Sequence, residues 1–271
     1  MQMHSVLAPV LLACALAFAK AAAAQTAHEP DLRNPDEPVP FLLDPALRPQ
    51  SVRILAPAPT PGTARHAADR EVFRQTRALR DGPRWKRAID DVALDVPAML
   101  ENFSCAVGTR LGPVKTPMLA GLLTRVSADA ERAIEPAKAA NRRVRPFVLD
   151  EGAICQPREK LDSYDYPSGH ATWGWTIGLL LAELAPDRAS DILVRARTYA
   201  ESRVICGAHN LSAIDAGATN AASLVATLHG SQWFRDALEA ARGEVAAVRA
   251  VDALDPDRTD CAAAQVPMPA Y

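Results

Sequence analysis

From about Asp69 onward, apolar residues recur at three- and four-residue spacing, and the alternation of a half-buried strand is scarce. The pattern predicts helices over 69–80, 84–93, 95–107, 116–140, 169–185, 187–205, 212–228 and 231–249. Segment 169–185 shows it most fully. Trp173, Ile177, Leu180 and Leu184 fall on one stripe, and Pro186 stops the helix. Trp173 and Trp175 are read as core packing. Before the helices, His28 to Arg65 carries nine prolines and little periodicity, which reads as an extended arm over the surface. After them, Asp252 to Tyr271 reads as a loose strap pinned by Cys261. The expected fold is all-α, a compact single-domain helical bundle. Its divisions are 1–24, 25–65 (arm), 66–250 (helical domain) and 251–271 (tail).

Composition narrows the function classes. At 49% hydrophobic and 23% charged, 271 residues can bury a full core. The net charge of −2 comes with no basic block, which argues against a nucleic-acid partner. Residues 1–24 read as a secretory signal: an apolar run from Val6 to Ala19 leads into Ala21-Ala22-Ala23-Ala24. Lys20 interrupts that run and it is short for a membrane span, so none is expected in the mature chain. Cys14 offers a lipid anchor as the minor alternative. Export leaves Cys105, Cys155, Cys206 and Cys261 in an oxidising compartment, where two disulfides are expected with the pairing open. No two of them stand at CxxC spacing, so zinc is the weaker reading.

Three stretches carry the chemistry. Lys138 and Arg145 lie seven residues apart, two helical turns, and share a face if the helix persists to Val144 before Pro146 ends it. Pro167-Ser168-Gly169-His170 stands directly before an amphipathic helix, whose opening N–H groups form an anion site. Ser202, Arg203 and His209 complete the set. A histidine beside phosphate can attack phosphorus, and its other ring nitrogen needs an acceptor. Singly these are ordinary residues, but together they match an oxyanion with several charged oxygens.

The combination resembles the bacterial class A nonspecific acid phosphatases. These belong to the superfamily of type 2 phosphatidic acid phosphatases and vanadium haloperoxidases. The signature Lys-x6-Arg-Pro, Pro-Ser-Gly-His, Ser-Arg-x5-His-x3-Asp is matched at Lys138 to Pro146, at Pro167 to His170, and at Ser202, Arg203 and His209. The resemblance covers about Phe103 to Gly217. It implies a compact all-helical domain with His209 as nucleophile and His170 as acid, then base. Lys138, Arg145, Arg203, Ser168 and the Gly169 N–H would bind phosphate, with no metal and no cofactor. The implied substrates are small phosphate monoesters, the location periplasmic or secreted, and a homo-oligomer is compatible. The signature's last Asp is here Ala213. Asp215, two residues later, is read as part of a capping box opened by Ser212, and Asn210 or a backbone carbonyl is left to orient His209. The alternatives are a vanadium-dependent haloperoxidase, and a phosphate-binding protein with weak or no turnover.

Overall fold

The computed structural model describes residues 41–254, 261 and 266–269. These residues contain α-helices and short 3-10 turns but no strand. The α-helices are α1 Ser51–Ile54, α2 Ala64–Thr76, α3 Pro83–Asp90, α4 Val96–Val107, α5 Pro117–Asn141, α6 Pro146–Leu149, α7 Gly169–Leu184, α8 Ala189–Ile205, α9 Leu211–Leu228 and α10 Gln232–Val251. The eight expected helices correspond to α2–α5 and α7–α10. The expected signal segment, 1–24, lies outside the described residues. No described helix is long and apolar enough to cross a membrane.

Helix α7 is the axis. Between its ends it carries almost no charge, and its buried residues, from Ala171 to Leu184, lie on more than one face. Such a helix belongs inside a protein, and here it packs against α8, α9 and α5. Two glycines permit the closeness. A Cβ on Gly174 would stand 2.4 Å from the Tyr199 ring of α8. One on Gly217 of α9 would stand 2.7 Å from the Ala171 Cβ and 2.9 Å from the Ser168 backbone oxygen. The expected stripe of Trp173, Ile177, Leu180 and Leu184 is buried. The Trp173 indole donates to the Leu94 carbonyl at 3.0 Å, and Trp175 packs at the core edge, in keeping with core roles.

Several helix ends are finished by distant residues. Helix α5 has no side-chain cap of its own; instead Glu244 of α10 accepts from Met118 N at 3.0 Å and Leu119 N at 2.9 Å. Helix α9 also lacks one, and Asp69 of α2 accepts from Ser212 N at 2.9 Å. Such caps contribute about 1 kcal/mol each.

Three expectations change. Helix α2 begins at Ala64, inside the stretch assigned to the arm, because Thr63 caps it through His66 N. The arm also folds locally as α1 and ties down through Leu42 N to Asp129 (2.7 Å) and Ala58 N to Asn141 (2.7 Å). Finally, Lys138 and Arg145 do not share a helix. Helix α5 stops at Asn141, with Arg142 left-handed at φ 46°. Arg145 is extended, as a residue before proline prefers, and Pro146 opens α6 rather than closing α5.

The cysteines pair as Cys105–Cys261 and Cys155–Cys206. All four sulfurs are thereby used, which removes the zinc reading.

Candidate active site

Four separate segments bring the expected residues together around one buried histidine. His209 follows Gly207, whose φ of 76° makes the turn off α8. The turn is closed by Ala208 N and His209 N donating to the Arg203 carbonyl at 3.0 and 3.2 Å. His209 is 2% exposed. Its Nδ1 lies 2.8 Å from the Asp165 backbone oxygen and 3.0 Å from Asp165 Oδ1. A backbone oxygen only accepts, so Nδ1 carries the proton. Nε2, 3.0 Å from Arg145 Nη1, faces a group that only donates and therefore presents a lone pair.

Three cations stand around it. Arg145 is fixed by its own donors: Nε to Ser163 O at 2.8 Å, Nη2 to Ser163 Oγ at 3.0 Å and Nη1 to Ala208 O at 2.8 Å. Lys138, buried at the end of α5, donates to Tyr164 O. Burial and Arg145 bring its pKa down to about 8. Arg203, fully buried on α8, gives one nitrogen to the Gln156 side chain. Among the described residues its Nε and Nη1 have no partner. Burial lowers it to about 10. A buried guanidinium with two idle donors is costly unless a ligand takes them.

Ser168 caps α7, its Oγ accepting from Ala171 N at 3.3 Å. The N–H groups of Gly169 and His170 precede the first intrahelical bond and are unspent within the helix. His170 Nε2 lies 3.0 Å from the Val92 carbonyl, so Nε2 is the protonated nitrogen and Nδ1 titrates. Burial depresses both histidines well below the usual range. Arg203 adds to this at His170, and Arg145 and Lys138 at His209.

Other residues play supporting parts. Ser202 belongs to a structural cluster, donating to Asp91 at 2.6 Å and accepting from Arg84 at 2.8 Å. Asp215 is not part of a capping box. It pairs with Arg65 at 2.5 Å on the surface, and the Ser212 hydroxyl donates to Asp69 at 2.5 Å. Asn210 does not meet the His209 ring; its Nδ2 donates to Asp165 Oδ2 at 2.8 Å. Asp165 and Gln156 are the residues that sequence reasoning missed. The only local sign of Asp165 was its place two residues before Pro167.

The PAP2 superfamily profile matches residues 118–236. The acid phosphatase of Zymomonas mobilis is 40% identical over 210 residues, covering 76% of this chain and 79% of the relative. The non-specific acid phosphatase of Salmonella typhimurium is 34% identical over 198 residues (70% and 78% covered). That of Providencia stuartii is 34% identical over 203 residues (73% and 82%).

Proposed function

We propose a mechanism on the ground that this chain belongs to the PAP2 superfamily and is an acid phosphatase, a phosphoric monoester hydrolase. The phosphate group of a monoester enters between Lys138, Arg145 and Arg203, against the Gly169 N–H and the Ser168 hydroxyl. Arg203, whose Nε and Nη1 have no partner among the described residues, offers unspent donors to its oxygens.

His209 Nε2 attacks phosphorus in line, and the ester oxygen leaves with a proton from His170 Nδ1. The intermediate is a phosphohistidine. Water then attacks that phosphorus, giving its proton back to His170, and the P–N bond breaks to release inorganic phosphate and neutral His209. The three cations stabilise charge that develops on the transferring group. Residues 1–24 serve export, and the protein works in the periplasm or outside the cell, where its two disulfides persist.

The observation that carries this reading is the locked tautomer of His209: Nδ1 held by acceptors at 2.8 and 3.0 Å, and an unprotonated Nε2 facing Arg145 Nη1 at 3.0 Å. The depressed histidine pKa values fit acid operation. His209 stays neutral at low pH, and His170 holds its proton only there. Two negative phosphate charges raise both on binding.

The test is hydrolysis of an aryl phosphate from pH 4 to 8 with a chelator present, by the protein and by His209→Ala. Chelator-resistant turnover that vanishes in the variant, with acid-labile phosphate bound to the protein only when His209 is present, is the expected result. Turnover by His209→Ala comparable to the parent overturns it.

A further inference from the structure

We propose that Asp165, on the loop before α7, is the positioning residue of the nucleophile, holding the His209 ring and balancing the positive charge it gains when phosphorylated. This rests on the reading of His209 given above. Asp165 is 0% exposed, and its carboxylate lies against the ring nitrogen opposite the attacking one, at 3.0 Å.

The carboxylate is itself held on both oxygens. Oδ1 accepts from Asn210 N at 3.1 Å and Oδ2 from Asn210 Nδ2 at 2.8 Å. Arg143 Nε lies 3.5 Å from Oδ2. Arg143 is fixed in turn by Asp69 at 2.7 Å and Ser212 at 2.6 Å. Asp69, Arg143 and Asp165 thus form a chain ending on the imidazole, from α2 through the 142–145 stretch to the loop. Ala213 lies in an apolar cluster with Leu55, Ala137 and Tyr166 and brings no charge. The loop carries Asp165, and five residues on, the first turn of α7 carries His170, so one stretch of chain serves both histidines.

Two functions of Asp165 are separable. Its backbone oxygen, 2.8 Å from Nδ1, fixes the tautomer whatever the side chain. Its carboxylate adds the charge and a second contact to Nδ1, at 3.0 Å. Asp165→Asn therefore keeps the tautomer and removes the charge, and the loss is smaller than the ~10⁴ seen when an orienting Asp also sets the tautomer.

The experiment compares the full exported chain with Asp165→Asn, Asp165→Glu and His209→Ala. Readouts are kcat, KM, the pH profile of kcat/KM, vanadate inhibition and thermal melting. For Asp165→Asn the expected result is a fall in kcat of about 100-fold, with KM and vanadate Ki within about threefold. Its acid limb moves to lower pH. Lys138 of α5, Arg145 of the 142–145 stretch, Arg203 of α8 and His170 of α7 still face His209, while the neighbouring carboxylate, whose own pKa burial raises, is gone. Asp165→Glu recovers part of kcat. An Asn variant with parental kcat and acid limb overturns the proposal. So does one whose kcat, KM and vanadate Ki all collapse with its melting temperature, which marks a merely structural carboxylate. Turnover by His209→Ala overturns instead the reading on which the proposal rests.

Discussion

Arg195 and Arg203 stand eight residues apart on α8, 1% and 0% exposed. The protein answers Arg195 completely. Its Nε donates to Asn102 O at 2.9 Å, and Nη1 and Nη2 meet Asp91 at 3.3 and 2.6 Å. Arg203 is answered at one nitrogen, by Gln156, and idle at two. Both arginines lose the same hydration on folding. Only one is repaid from within the chain, and the other is left for a phosphate. A buried charge is therefore read by counting what its donors meet, since depth alone does not separate the two.

The sharpest way to break the contrast is Arg203→Gln. It should cost about 10³ in kcat/KM, near 4 kcal/mol, without lowering the melting temperature, because it removes an unbalanced charge. Loss of stability with retained turnover would erase the distinction. Arg195→Met should do the reverse. It takes from buried Asp91 its closest cation, leaving Arg87 at 3.3 Å and the Ser202 hydroxyl, and costs about 3 kcal/mol of stability, a melting shift on the order of 10 °C, while folded molecules keep their kcat. Inorganic phosphate sharpens the comparison. At about 100 times its Kd it should stabilise the parent and Arg195→Met by about 2.7 kcal/mol in thermal melts, and Arg203→Gln hardly at all.

A smaller effect concerns Lys138, lowered to about 8. Phosphate affinity should fall as pH rises through that value, by about tenfold or less, as the ammonium loses its proton. In the free protein the sign for stability is opposite. Between about pH 8 and the unfolded value, unfolding takes up a proton, so this group's contribution to stability rises with pH there. Denaturant melts with and without phosphate separate the two trends. Smallest is Asp215→Ala. Its pair with Arg65 is exposed on both sides, so turnover in the aryl phosphate assay should stay within about twofold and stability within about 1 kcal/mol.

Much of this was legible along the chain. Apolar spacing marked α7 and its neighbours, because a helix central to a bundle carries its burial in its own sequence. The cations and histidines were legible because an anion site needs those side chains whatever the fold. The partners were not. Asp165 meets His209 across 44 residues, Glu244 caps α5 across 125, and Asp69 caps α9 across 143. None leaves a periodic trace, since one carboxylate serves wherever its oxygens arrive. The helical link from Lys138 to Arg145 failed for a local reason: Pro146 disfavours helical backbone at Arg145. The capping box at Ser212 failed because Asp69 had already taken both its N–H and its hydroxyl.

The Cys105–Cys261 bridge spans a sequence separation of 156, and Cys155–Cys206 lies nested inside it. Lys138, Arg145, Asp165, His170, Arg203 and His209 all fall within that outer ring. A peptide bond cut anywhere along it leaves both pieces covalently joined, so no catalytic group can be shed by a single proteolytic nick. The bridge turns an endoproteolytic hit from a severing event into a local fray.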